Sequence, residues 1–176
     1  MKQKMVLGIF QSKADANNTV LDLRDKGYEE EKISIITRDT KHVHSLSSNS
    51  GSNVTTDAAT GGMIGALAGL LIGVAAIAIP GLGGILVGGP VAAILGLTSL
   101  TGTAASSAIT GALVGSLAGG LIGIGLPEGD ATQYESSIKE GGTLVIVPLT
   151  NEADQEAKSV MKLHNAQQLN VVNLNI

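Results

Sequence analysis

Few residues in this chain have the type and spacing that catalysis or metal binding requires. His42 and His44 alternate, as two imidazoles on one side of a strand would. A metal site needs three or four ligands, and the third histidine, His164, is far away in the sequence. The chain also contains no cysteine, which excludes thiolate metal sites and disulfides. We therefore predict no metal site and no cofactor, and we interpret the histidine pair as part of a solvated linker.

Two further patterns that carry chemistry are incomplete or missing. Residues 81–84, Gly-Leu-Gly-Gly, resemble a phosphate-binding loop, but no Lys-Ser/Thr pair follows them and no strand is predicted before them. No Gly-x-Ser-x-Gly elbow is present. We predict no catalytic residue and no enzymatic activity. An enzyme or small-molecule sensor that uses the predicted sheet is the third hypothesis, behind the two given below.

The charged residues are unevenly distributed along the 176-residue chain. There are 11 basic and 15 acidic residues, for a net charge of −4, which excludes a general nucleic-acid binder because such proteins need a basic face. None of these charged residues lies between Ala58 and Pro127. The chain therefore consists of two polar flanks around one long uncharged middle.

The two flanks predict one small domain that the middle divides. Apolar runs, helical spacing and turn residues predict the order β-α-β in each flank. The predicted strands are 5–10, 33–37, 143–147 and 169–174, and the predicted helices are 13–26, about 130–140, and 152–164. We therefore predict an α+β fold, a split ferredoxin-like β-α-β/β-α-β sandwich formed by residues 1–38 and 128–176.

The middle, residues 57–127, which is uncharged from Ala58 onward, predicts a Gly/Ala-rich apolar α-helical hairpin that follows a flexible Ser/Asn-rich linker over 39–56. Glycine recurs every four residues in both arms, which places it along one side of each helix. Because glycine is costly in a helix exposed to water, such stripes indicate close helix–helix packing. The predicted packing residues of this glycine zipper are Gly61, Gly65, Gly69, Gly73, Gly111, Gly115, Gly119 and Gly123. The residues predicted to face lipid or neighbouring subunits are Leu67, Leu71, Leu113, Leu117 and Leu121.

The predicted arms have two possible apolar surroundings. The first arm is predicted over 58–79, a connector over 79–90 and the second arm over about 103–125. As a helix, residues 58–79 would span about 33 Å, against about 30 Å for the hydrocarbon core of a bilayer. If both flanks build one sheet, the middle crosses the membrane an even number of times. Its lack of Lys and Arg agrees with flanks that lie in the cytoplasm. Alternatively, arms from several subunits pack together in the interior of a soluble assembly, because hydropathy alone does not separate a bilayer from a protein interior.

The order of several short motifs resembles a bacterial family, the general stress protein 17M or YflT-like proteins, over nearly the whole chain. The motifs are Val6–Phe10, Gly27-Tyr28, Ile33–Ile36, Ile79-Pro80-Gly81, Gly88-Gly89-Pro90, Gly123–Glu128, Tyr134 and Lys139–Val145. The resemblance implies a general-stress or heat-stress protein without known catalytic activity, and it transfers no active-site residue. The sequence departs from the family at Gly129, where the family usually has an acidic helix start.

Together these observations predict a non-enzymatic bacterial general-stress protein that self-associates through the hairpin and associates with or inserts into the membrane. The expected partners are further copies of the chain and membrane lipid or another apolar phase, but not nucleic acid. The expected location is the bacterial cytoplasm and cytoplasmic membrane. The alternative is a soluble homo-oligomeric structural assembly, a shell, ring or filament, with the hairpins buried inside.

Overall fold

The computed structural model describes residues 2–38, 75–79, 83–91, 116–149 and 154–175. Its strands are β1 (Lys2–Phe10), β2 (Ser34–Thr37), β3 (Ala75–Ile79), β4 (Gly83–Gly88), β5 (Thr143–Leu149) and β6 (Gln167–Asn175). Its helices are α1 (Lys13–Asp25), α2 (Leu117–Gly123), α3 (Glu128–Lys139) and α4 (Asp154–Leu163), with a short 3-10 turn at Glu30–Lys32.

The six strands form one antiparallel sheet in the order β3-β4-β2-β5-β1-β6. β1 lies between β5 and β6, so that Val6 is opposite Val147 on one side and Val171 on the other. β3 and β6 are the two edges of this sheet. The strands that come from the two flanks are therefore neighbours in space although the middle separates them in sequence.

β1 is apolar along most of its length because both of its faces are buried. Met5, Leu7 and Ile9 belong to the core on one face of the sheet. Val6 and Phe10 belong to the core on the opposite face. A strand that is covered on both sides has a continuous apolar sequence rather than an alternating one, and residues 5–10 have this pattern.

Helices cover both faces of the sheet. α1 and α4 supply Val20, Leu23, Val160 and other residues to one core. α2 and α3 supply residues to the second core, among them Tyr134, which is fully buried. The fold therefore has three layers, with a separate apolar core on each side of the sheet.

The ends of α1 show how local sequence fixes an element in the first flank. The Ser12 hydroxyl accepts a hydrogen bond from the backbone N–H of Asp15 at 3.4 Å, which is an N-cap contact. After the helix, Gly27 has a φ of +91°, and its N–H donates to the carbonyl of Arg24 at 2.9 Å. A left-handed glycine after the last turn is a common helix stop.

The predicted α+β class is confirmed, and the flank strands and helices lie within a few residues of their predicted bounds. The helix predicted over about 130–140 is α3. The predicted linker over 39–56 lies outside the described residues.

The helix predicted over 58–79 was wrong at its end, because residues 75–79 form β3. Residues 83–88, predicted as part of a connector, form β4, which pairs with β2 as well as with β3. The physical reason is that β2 offers backbone donors and acceptors that β4 satisfies. β4 also buries Ile85 and Val87 in the core. One premise about the loop at 81–84 was also wrong, since a strand does precede it.

The second predicted helix, over about 103–125, was wrong at Ser116, which is extended with φ −156° and ψ 149°. α2 begins only after this residue. The Ser116 hydroxyl accepts the backbone N–H of Gly119 at 3.1 Å, so a capping contact starts a new helix at this position.

Candidate functional site

The start of α2 is where the uncharged middle returns to the folded domain, and two side chains hold it there. Ser116 caps Gly119, as described above. The Glu135 carboxylate on α3 accepts the backbone N–H of Ala118 at 2.7 Å. The first N–H groups of a helix have no partner within the helix, and these two contacts supply partners. A charged hydrogen bond from another element thus fixes the position of α2.

Glu135 is held in its ionised form by the groups around it. Its side chain is 12% exposed, and its second oxygen accepts the Lys139 ammonium at 2.7 Å. Burial alone would raise the pKa of Glu135, but the hydrogen bonds from Lys139 and from the Ala118 amide, with the charge of Lys139, outweigh it. The net result is a pKa below the ordinary value of a glutamate.

Leu117 and Leu121 were predicted to face lipid or neighbouring subunits, but the structure places them in the protein's own core. They are 3% and 0% exposed and belong to the core beneath α2 and α3. The reason is the short length of α2. Its apolar side chains reach the sheet directly, as on an ordinary amphipathic helix. Ile122, on the same helix, is 42% exposed.

The glycine stripes are only partly within the described residues. Gly119 and Gly123 lie on α2. No described atom lies within 4 Å of the position that a Cβ on Gly123 would take, so no described residue covers this side of the helix. The predicted helix contact at Gly123 therefore stays a prediction. The other predicted residues lie outside the described part: Gly61, Gly65, Gly69, Gly73, Gly111, Gly115, Leu67, Leu71 and Leu113.

A second polar cluster joins α3 to the edge strand β6. The Tyr134 hydroxyl lies 2.6 Å from the carbonyl oxygen of Gln168 and 3.2 Å from that of Leu7. Asp130 accepts a hydrogen bond from the side-chain amide of Asn170, and Gln133 accepts one from Gln168. Burial above all raises the pKa of Tyr134, so its hydroxyl remains a donor at neutral pH.

This cluster surrounds a β-bulge. Along β1, Gly8 lies opposite Leu169 and Ile9 lies opposite Gln167, which leaves Gln168 as the extra residue of β6. Gln168 has a φ of +51°, a conformation that is uncommon for residues other than glycine. The Tyr134 hydroxyl bonds to its carbonyl and thereby stabilises the bulge.

These contacts position chain segments, and they do not bring reacting groups together. Within the described ranges, no three His, Cys, Asp or Glu side chains are grouped so as to hold a metal ion. The described histidine, His164, contacts Asp22 at 2.7 Å and links α4 to α1. His42 and His44 lie outside the described residues.

Sequence reasoning missed Glu135 and the residues around the bulge. The Glu135–Lys139 spacing of four is visible in the sequence and is typical of a helix ion pair. The contact from Glu135 to Ala118 depends on how α2 packs on α3, which no local pattern encodes. Tyr134 was singled out only as one of the motifs of the family resemblance, and the structure shows that it is fully buried.

Among the described residues, none of the helices combines the length and the apolar composition needed to cross a bilayer. Residues 5–80 match a family model, described as the heat induced stress protein YflT domain. The predicted resemblance to the YflT-like family is therefore confirmed over residues 5–80. No curated protein and no solved structure matches the chain.

Proposed function

We propose that this chain, with its similarity to the heat-induced stress protein YflT domain over residues 5–80, is a non-enzymatic stress protein that acts by self-association. In this proposal, the parts of the uncharged middle that the domain does not bury are covered by further copies of the chain. The partner is therefore another copy, and no cofactor takes part.

The observation that carries the proposal is where the described pieces of the middle pack. Ile85 and Val87 of β4, and Leu117 and Leu121 of α2, are all 3% exposed or less and lie in the core of the domain. These pieces of the middle are covered by protein. An interior formed by several chains extends the same kind of packing to the remaining uncharged residues, which have no ionisable group to place in water.

The bounds of β3 and α2 favour this assembly over a hairpin that spans lipid. Because β3 begins at Ala75, residues 58–74 would span about 25 Å even if they were fully helical. Because Ser116 interrupts the second arm, residues 103–115 would span about 20 Å. Both lengths are below the roughly 30 Å of a hydrocarbon core.

The flanks are proposed to form the split ferredoxin-like unit. Two features support this interpretation. The four flank strands lie in the order β2-β5-β1-β6, all antiparallel, and α1 and α4 pack in the same core on one face. The β3-β4 hairpin would then extend this unit at the β2 edge. We propose the bacterial cytoplasm as its location.

High-speed sedimentation of cell extracts with and without detergent tests the proposal. We expect a large particle whose sedimentation does not change in mild detergent. Release from a membrane pellet only after detergent treatment would instead establish membrane association and overturn the assembly. A monomer under both conditions would overturn self-association altogether.

A further inference from the structure

The outer edge of β6 is a strand edge without a described partner. β6 is nine residues long and ends the sheet beyond β1. Such an edge presents unpaired backbone donors and acceptors to other chains. Natural proteins usually protect long edges with charged residues, proline or bulges. Residues 167–175 contain no Lys, Arg, Asp, Glu or Pro.

The bulge at Gln168 protects only the beginning of this edge. Regular pairing with β1 resumes at Leu169 and continues to Asn175. The approach of Gly125 to β6 marks a second limit, since a Cβ there would lie 3.5 Å from the Asn173 carbonyl oxygen. The centre of the accessible edge is therefore Val171, which is 37% exposed.

The composition of this edge fits a second copy of the same chain. A two-fold contact places charges near its axis beside their own copies, and β6 has no charged residue that would be repelled in this way. The exposed Asn173 carries an amide, which both donates and accepts hydrogen bonds and is therefore compatible with a copy of itself. Lysine or aspartate at this position would lack this property.

We propose that two chains pair antiparallel through β6, which would form a continuous sheet across the dimer. Residues directly opposite each other in a sheet share a face, and a two-fold axis normal to the sheet preserves that face. Odd-numbered residues therefore lie opposite odd-numbered residues, and Val171 lies opposite its own copy or one pair away from it. This interface rests on the proposed self-association, but it uses residues outside the uncharged middle.

Charge reversal at Val171 tests the interface. Val171→Lys and Val171→Glu each place like charges near the two-fold axis, and we expect each to weaken the dimer by roughly tenfold. An equal mixture of the two variants brings opposite charges together and is expected to restore pairing. A folding defect would not be rescued by mixing. Leu163→Lys, at a position that is 72% exposed at the end of α4, is the matched control and should leave pairing unchanged.

These variants are best measured in the full chain carrying Gly123→Leu, by sedimentation velocity without detergent. Gly123→Leu is expected to disrupt contacts of the middle while leaving a dimer of twice the 17.7 kDa chain mass. Adding Val171→Lys should then give a monomer. If Gly123→Leu alone gives a monomer, or if mixing fails to restore the dimer, the β6 interface is wrong although self-association stands. A third result is also possible: the wild type is a dimer, Gly123→Leu leaves it unchanged, and Val171→Lys dissociates it. In that case the β6 interface stands and the proposed assembly is wrong.

Discussion

Tyr134 connects three parts of the domain through a single hydroxyl group. Its ring is fully buried beneath α3, and its oxygen reaches the backbone of β1 and of the bulge in β6. A buried tyrosine needs such partners, because an unsatisfied hydroxyl in an apolar core is costly. The same contact holds Gln168 at its positive φ, so the shape of the β6 edge depends on this side chain.

Tyr134→Phe tests this role because it keeps the ring and removes the hydroxyl. We expect the free energy of unfolding to fall by about 1–3 kcal/mol, since the carbonyl of Leu7 loses a buried contact. Urea denaturation measures the change. Thr132→Val is the control, because its hydroxyl bonds to the Glu128 carbonyl at an exposed position of the same helix. An equal loss in both variants would contradict the special role of Tyr134.

Glu135 makes the position of α2 sensitive to pH. At neutral pH, Glu135→Gln should lower the free energy of unfolding by about 1.5–3 kcal/mol, because it replaces hydrogen bonds to a charged group. The folded protein lowers the pKa of Glu135 below 4.5. The contribution of the carboxylate is therefore complete above pH 4.5 and is lost as the pH falls through the lower pKa of the folded state.

The difference in stability between wild type and Glu135→Gln should consequently shrink as the pH falls below 4.5, the ordinary pKa of the group. Urea unfolding at neutral pH and at about pH 3 measures it. Glu140→Gln, at the exposed end of α3, controls for the loss of one carboxylate. A difference that is as large in acid as at neutral pH would contradict the proposed ionisation of Glu135.

At the scale of elements, the β3-β4 hairpin is attached to the flank domain through the turn after β4. Gly89 has a φ of +85°, and a Cβ there would lie 2.3 Å from the Ile33 carbonyl oxygen. Val91 donates its N–H to the buried Ser34 hydroxyl at 3.0 Å. Gly89 must be glycine for two reasons. The neighbouring backbone atoms leave no room for a side chain, and its positive φ is unfavourable for residues that have one.

Gly89→Ala is therefore expected to destabilise the domain by at least about 3 kcal/mol, through both strain and a backbone clash. Gly141→Ala is the matched control. Gly141 also has a positive φ, of +99°, but no atom of the described residues lies within 4 Å of its Cβ position, so we expect only the conformational cost of about 1–2 kcal/mol. Thermal or urea unfolding compares the two. Equal losses would indicate that the turn after β4 does not contact β2 closely.

The flank elements could be predicted from sequence because local features define them. The Ser12 cap, the Gly27 stop and the apolar run of β1 each act over a few residues, and the structure keeps all three. β3 and β4 could not be predicted in this way. Residues 75–79, Ala-Ala-Ile-Ala-Ile, suit a helix or a strand equally, and the available edge of β2 decides between them.

The candidate site was less predictable than the fold. The sequence identifies the uncharged middle and its glycine spacing, but Ser116 divides the second predicted arm. The direction in which Leu117 and Leu121 point depends on how α2 docks on the sheet. Hydropathy indicates that such residues are buried away from water, but it does not identify what they pack against. Here they pack in the domain's own core.

At the scale of the whole molecule, the chain combines a domain with two cores and a middle that lacks ionisable groups. The flanks carry all 26 charged residues, which would keep the outside of the proposed assembly polar. Two separate surfaces are proposed to join copies, the open side of α2 at Gly123 and the edge of β6. A protein with two such surfaces can form closed or extended assemblies, according to the angle between the contacts.

The mass of the purified chain in detergent-free buffer tests self-association through the middle most directly. Light scattering after size-exclusion chromatography should give a particle of many times 17.7 kDa for the wild type and for Gly129→Leu, whose Cβ position also has no described atom within 4 Å. Gly123→Leu should give a much smaller particle that remains folded. A wild-type mass of 17.7 kDa, or an assembly that Gly123→Leu leaves unchanged, would contradict the account.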